Sequence, residues 1–335
     1  MKPLPRRSLG QTGMEITAVG LGAWAIGGGG WAFGWGPQDD RESVAAIHHA
    51  LDLGINWIDT AAVYGLGHSE EVVRKALQGI PENDRPFVFT KGGLAWDPAR
   101  PMQTPLRNLH PASIRRECDA SLKRLGVERI DLYQFHWPDE TGIPVEDSWA
   151  TMGRLVEAGK VRAIGVSNFP VELLERCQAL RQVESLQPPF SLVNRDAAAA
   201  EIPWCRTHGT GVICYSPMQS GLLTDSFSAA RVTEMAPDDW RRKSLEFQSP
   251  QLERNLALRD ALRPVAQRHG CSVAAAAVAW VTSWPGVTGA IVGARSPDQV
   301  DGWIAGGDLR LTPRDLEGLA AAIDRTGAGS GPTRP

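Results

Sequence analysis

A chain of 335 residues with a formal net charge of −3 carries no basic field that would recruit nucleic acid or an anionic membrane surface. Its basic start, MKPLPRRSLG, leads into no apolar stretch, and its most apolar run, 273–281, is too short to cross a bilayer, so neither a secretory leader nor a membrane span is expected. The composition suits a cytoplasmic protein acting on a small molecule, with no nucleic-acid or membrane partner and nothing that fixes an oligomeric state. Five cysteines are odd in number and lack paired spacing, so they read as small buried hydrophobes, and no metal site is expected.

In chain order, residues 6–19 read as two short strands around Gly10–Gly13, a hairpin suited to plug the bottom of a barrel. Residues 18–22 form a first apolar strand. The segment that follows, AWAIGGGGWAFGWG, lacks the spacing of a dinucleotide fingerprint or a P-loop, and is expected to be a mobile rim over a pocket. Apolar residues at three-to-four spacing predict a helix over 40–53, stopped by Gly54. Ile55, Trp57 and Ile58 then lead into Asp59 as a buried strand. Tyr64 lies on the loop beyond it, and Ser69 is expected to cap a helix reaching Leu77.

The same rhythm repeats. FVFTK ends in Lys91, IDLYQFH in His136, VRAIGVSN in Ser167 and Asn168, SLQ in Gln187, and GVICYS in Tyr215 and Ser216; a last strand covers 288–292. Helices are predicted over 111–125, 145–158, 170–179, 198–208, 251–269, 272–284 and 312–324, with another opening at SPDQV. The stretch 217–250 is long and irregular, which in a compact domain marks a functional or mobile segment. Strands alternating with helices argue an α/β parallel sheet with right-handed crossovers. The expected architecture is a single (β/α)8 TIM barrel over 1–325 with an N-terminal β-hairpin, extra C-terminal helices and a disordered tail over 326–335.

Polar groups standing singly at the ends of successive strands converge at one mouth of such a barrel. Tyr64 can act as proton donor, but a phenol with a pKa of about 10 is sluggish unless its phenolate is stabilised. Lys91 can supply that positive charge, Asp59 can hold the lysine charged and in place, and His136 can donate to the same substrate oxygen. Together the four suit carbonyl reduction. Singly, each has a plainer reading: a cap or ion-pair partner for Asp59, a structural or Schiff-base lysine for Lys91, a core or rim histidine, a packing tyrosine. Trp24, Trp31, Trp35, Trp96 and Trp137 fall on or near strand-end loops, where aromatic walls make pockets. Trp31, Trp35, Trp96 and Trp137 are the candidate substrate walls.

Over nearly its whole length the chain resembles the aldo-keto reductase family. The resemblance is carried by LGQTGMEITAVGLG at the start, GINWIDTAAVYGLGHSEEVV, FTK at 89–91, DLYQFHWPD at 131–139, GVSNF at 165–169, YSPMQSGLL at 215–223 and IVGARSPDQV at 291–300. It implies Asp59, Tyr64, Lys91 and His136 as a catalytic tetrad with Tyr64 as general acid. It implies that Ser167, Asn168 and Gln187 hold the nicotinamide carboxamide, and that Tyr215 stacks on the ring. Ser216, Met218, Gly221 and Leu222 would line the pyrophosphate path, with Gly22, Trp24, Pro217 and Gly293 completing the cofactor wall. Arg295 and Gln299 would meet the adenosine end.

The sequence also departs from the family's pattern. Gly302 and Trp303 stand where many relatives place a carboxylate and then an asparagine against adenine, and Asp301 comes one residue early. NADP(H) is the first expectation, with NAD(H) as the alternative, and the substrate is expected to be a small carbonyl compound. Two other classes stay open: a cofactor-binding regulatory module similar to potassium-channel β-subunits, and a Schiff-base aldolase using Lys91. An NAD-preferring enzyme working in the alcohol-oxidising direction is a variant of the leading reading.

Overall fold

A computed structural model describes residues 3–236 and 239–334. The chain opens with a hairpin, β1 (Arg6–Ser8) and β2 (Glu15–Thr17), followed by β3 (Val19–Gly22), α1 (Asp40–Asp52), β4 (Trp57–Asp59) and α2 (His68–Leu77). It continues through β5 (Phe87–Gly92), a small hairpin of β6 (Leu94–Ala95) and β7 (Leu106–Arg107), α3 (Pro111–Leu125), β8 (Ile130–Phe135) and α4 (Val145–Glu157). Next come β9 (Val161–Ser167), α5 (Val171–Gln178), β10 (Ser185–Gln187), α6 (Glu201–His208) and β11 (Gly211–Cys214). The remainder is α7 (Ala229–Glu234), α8 (Gln251–His269), α9 (Val273–Ser283), β12 (Gly289–Gly293), α10 (Pro297–Asp301) and α11 (Pro313–Thr326). Eight parallel strands close in the order β10-β11-β12-β3-β4-β5-β8-β9, which is the expected (β/α)8 barrel.

Side-chain alternation along each strand decides what faces the interior. Trp57, Phe87, Phe89, Leu132, Ala163, Ile213 and Ile291 share one cluster inside the barrel, and Leu9, Met14 and Ile16 of the hairpin segment pack into it as a plug. The intervening residues, among them Ile58, Val88, Tyr133, Ile164 and Leu186, face the helices. The register then carries the inward parity upward: Asp59 pairs with Phe89, Lys91 with Gln134, Gln134 with Gly165, Gly165 with Ser185 and Ser167 with Gln187. Asp59, Lys91, Gln134, Ser167 and Gln187 therefore end up facing one another. The apolar floor and the polar mouth are two layers of one alternating pattern.

Two glycines make room for that interior. A Cβ on Gly20 would stand 2.2 Å from the Trp57 indole, and one on Gly165 would stand 2.1 Å from Ser185 Oγ. Trp57 can thus lie across the barrel, 5.3 Å from the Phe89 ring, with its indole nitrogen donating to Thr17 O at 2.9 Å.

Two local expectations are corrected. Ser69 does not cap α2: it lies inside the helix, its hydroxyl donates to Ala23 O at 2.8 Å, and it shares a 2.9 Å hydrogen bond with Thr60. The expected disordered tail is also packed, with Pro335 outside the described residues. Arg195 is 2 % exposed and gives its side-chain hydrogens to Leu192 O, Ala328 O and Pro332 O, while its backbone nitrogen donates to Ser330 O at 3.0 Å. A buried guanidinium must find acceptors, and the tail's carbonyls provide them. The glycines that suggested disorder serve close approach, since a Cβ on Gly329 would lie 1.8 Å from Val193 O.

No helix among the described residues is long and apolar enough to cross a membrane.

Candidate active site

The barrel mouth opens into a cavity of about 790 Å³. Asp59, Tyr64 and His136 line it, and Lys91 lies just beneath, 1 % exposed. Lys91 Nζ donates to Asp59 Oδ1 at 2.5 Å and to Thr60 O at 2.9 Å, and lies 3.5 Å from Tyr64 Oη. His136 meets the Tyr64 ring edge-on at 5.6 Å. The structure thus brings all four expected residues together from three neighbouring strands and the loop that follows β4.

Their electrostatics are unequal. Burial, and then the Asp59 charge, push the Tyr64 phenol well above its ordinary range, so it keeps its proton at neutral pH. Burial, and then Lys91, hold His136 well below the usual imidazole range, leaving a neutral ring that can donate one N–H. Burial raises Asp59 and lowers Lys91, and each charge counteracts the shift of the other. A protonated phenol beside a paired ammonium and a neutral imidazole can hand a proton to an oxygen that is gaining negative charge.

On the adjoining wall, Asn168 adopts a left-handed backbone conformation (φ 61°), its amide donating to His136 O and Ser167 Oγ, both at 3.0 Å. Tyr215 donates to Asn168 Oδ1 at 2.8 Å, which fixes the tyrosine ring on the cavity wall. Gln187 gives its Nε2 hydrogen to Asp59 Oδ2 at 2.9 Å, so its Oε1 is the atom left for a carboxamide. Gly22, Trp24, Ser167, Ser216, Pro217, Met218, Gly221, Gly293, Arg295 and Gln299 line the same cavity. These groups fit a nicotinamide dinucleotide: amide-reading atoms and a ring face lie beside Tyr64, and guanidinium groups lie farther along.

Some expected contacts take other roles. Leu222 is fully buried in the core and off the cavity wall. Trp96 packs behind Trp31 and Tyr64 in a small aromatic cluster without lining the cavity, whereas Trp31, Trp35 and Trp137 do line it. Arg295 is tied to the glycine-rich loop, donating to Gln38 Oε1 at 2.6 Å, to Trp35 O at 3.4 Å and to Pro37 O. That loop is pinned rather than a free rim. Trp24 Nε1 donates to Phe33 O at 3.0 Å, Ala32 N to Pro101 O at 3.1 Å, and Trp31 is 4 % exposed.

Several residues at or next to the cavity were missed. Gln134 sits among Asp59 and Gln187 at 3.5 and 3.4 Å, and its place two residues before His136 already gave it the inward parity. Trp240 stacks on Trp24 at 5.6 Å and meets Trp35 edge-on at 5.7 Å, while Arg241 lies over the Trp35 ring at 4.7 Å. These contacts clasp the loops after the first and seventh barrel strands together over the cavity; no local motif announces them. Trp303 is 2 % exposed and lines the cavity beside Gln299, and Asp301 is off the cavity wall, paired with His49 at 2.7 Å.

Comparison with known proteins identifies the family. The model of the Aldo/keto reductase family matches residues 18–324. Aldo-keto reductase YhdN of Bacillus subtilis (strain 168) is 38 % identical over 320 residues, covering 95 % of this chain and 93 % of its own. NADH-specific methylglyoxal reductase of Escherichia coli (strain K12) is 31 % identical over 337 residues, covering 97 % and 100 %. The solved structure of the glycerol dehydrogenase AKR11B4 from Gluconobacter oxydans superposes with a TM-score of 0.85 at 37 % identity, covering 99 % of this chain and 98 % of that one. The chain belongs to the aldo/keto reductase family, whose members are nicotinamide-dependent oxidoreductases.

Proposed function

We propose that this aldo/keto reductase reduces an aldehyde or ketone to an alcohol with NADP(H), Tyr64 giving the proton. The observation that carries the reading is the chain of contacts from Asp59 through Lys91 to the Tyr64 hydroxyl, at 2.5 and 3.5 Å, on the wall of a cavity that runs on to Arg241 and Arg295. Bound nicotinamide supplies the hydride to the carbonyl carbon. Tyr64 passes its proton to the carbonyl oxygen, Lys91 stabilises the phenolate left behind, and Asp59 keeps Lys91 charged and placed. His136 donates its N–H to the same oxygen. Ser167, Asn168 and Gln187 orient the carboxamide, Tyr215 supports the ring, and the tryptophan walls exclude water. A cytoplasmic location, argued from composition, belongs to this proposal.

The pH dependence follows from the signs of the shifts. With His136 already neutral and Tyr64 holding its proton more tightly than a free phenol, kcat for reduction should show no step near pH ~6.5. It should fall only in alkaline solution, as Lys91 or Tyr64 loses its proton. A kcat–pH profile checks this; a step at the ordinary imidazole value would show that His136 is charged in the working enzyme.

Cofactor choice is tested without a substrate. Trp24 and Trp35 line the cavity and Trp240 stacks on Trp24, so ligand entry should quench tryptophan fluorescence. We expect saturable quenching with NADPH at about tenfold higher affinity than NADH, a difference of ~1.4 kcal/mol, with the advantage removed by Arg295→Ala. A second reading, NAD(H) use, draws on Arg295 being engaged by Gln38 and the Trp35 and Pro37 carbonyls. Equal or tighter NADH binding favours that reading, and binding of neither cofactor rejects the reductase assignment.

A further inference from the structure

Arg107 carries a charge that the fold leaves unused. It lies on β7, paired with Leu94 of β6 in the hairpin that leaves the Lys91 strand, and its side chain lines the same cavity as Tyr64 and His136. Among the described residues its guanidinium makes no hydrogen bond and has no carboxylate within 4.0 Å; it lies over the face of Trp137, 4.2 Å from the ring centroid. Two acids of the loop after β8 are engaged by backbone: Glu140 accepts from Arg107 N at 3.1 Å, and Asp139 accepts from Leu109 N at 2.7 Å, Thr141 N at 2.7 Å and Ile143 N at 3.0 Å.

Arg231, on α7 beyond β11, also lines the cavity without a side-chain hydrogen bond or ion pair among the described residues, but it is exposed; the remaining arginines are engaged. Arg241 is forked onto Asp239, with Oδ1 at 3.0 Å and Oδ2 at 2.6 Å, and Arg295 is held by the glycine-rich loop. Both stand on loops that follow β11 and β12. Arg107 stands over β5, between the strands that bear Asp59 and His136, and so on the side where a substrate would enter. The wall around it is apolar, formed by Trp31, Phe33, Leu94, Pro105 and Trp137. Phe33, Leu106 and Met102 carry that apolar surface outward, at 39 %, 48 % and 62 % exposure.

A guanidinium held over an indole face by cation–π attraction keeps its N–H donors unspent, and their planar fork matches a carboxylate. We propose that the preferred substrates are carbonyl compounds bearing a carboxylate beyond an apolar or aromatic body, and that Arg107 selects them. This rests on the reductase reading of the site and adds the substrate class.

The test compares para-carboxybenzaldehyde with its methyl ester in the wild type, Arg107→Met and Arg107→Lys. The wild type should favour the acid in kcat/KM by roughly tenfold to a hundredfold, the range of one or two charge-assisted hydrogen bonds, mainly through KM. Added salt should shrink that preference. Arg107→Met should erase it while leaving the ester within about twofold of wild type, which also reports an intact fold, and Arg107→Lys should restore part of it. Turnover of the ester with no preference for the acid, or an equal loss on both substrates in Arg107→Met, overturns the proposal and leaves the reductase reading standing. Turnover of neither aldehyde with either cofactor overturns both.

Discussion

Replacing Tyr64 by Phe should lower kcat for carbonyl reduction by roughly a hundredfold to ten-thousandfold, the span a positioned general acid contributes, while cofactor affinity stays within about twofold of wild type. The substitution removes only the hydroxyl 3.5 Å from Lys91 Nζ. The ring keeps its edge-on contact with His136 and its stack with Trp24 at 6.2 Å, so the cavity wall is preserved. A loss confined to kcat assigns the hydroxyl to the transition state. Full activity in the variant would remove Tyr64 from the chemistry and leave His136 as the remaining proton donor.

Lys91→Met should abolish turnover at least as thoroughly and also weaken the fold. It leaves Asp59, 2 % exposed, without its counter-charge, and removing one member of a buried pair costs roughly 3–5 kcal/mol. The pH signature separates this from simple loss of packing. An unpaired buried carboxyl has its folded pKa raised above the unfolded value, so the folded state binds the extra proton. The variant should therefore be closest to wild-type stability in acid and lose ground as pH rises through the raised pKa. Adding Asp59→Asn should recover most of the stability across that range and none of the activity. Denaturant melts at several pH values read both effects; a pH-independent loss would mean that Asp59 is not left charged.

Why so much of this site could be read from the chain comes down to period-two geometry. Asp59, Lys91, His136 and Ser167 each share inward parity with an apolar residue two or four positions earlier on the strand that leads to them, so a correct strand assignment also aims the side chain. The same rule covers Gln134, which went unread because a lone glutamine in an apolar run resembles an outward polar residue. What escaped depends on contacts between segments far apart in sequence. Nothing near Trp240 or Arg241 says that the loop after β11 folds back on Trp24 and Trp35, and nothing near Asn194 or Arg195 says that a glycine-rich tail will bring its carbonyls to a buried guanidinium. The β6–β7 hairpin, only two residues per strand, carries too short a pattern to be seen, yet it presents Arg107 and Leu94 to the cavity. Ser69 shows the same limit on a small scale, since cap and buried cross-link both need a hydroxyl.

The central claim is that hydride passes from nicotinamide to a carbonyl carbon at the mouth of this barrel. Its most direct test is to supply the wild-type protein with benzaldehyde and NADPH deuterated at both C4 positions, and to weigh the alcohol formed. One deuterium on the carbinol carbon, with product lost in Tyr64→Phe, is the predicted result. Unlabelled alcohol, or borohydride trapping of the aldehyde on Lys91 without cofactor, would contradict it.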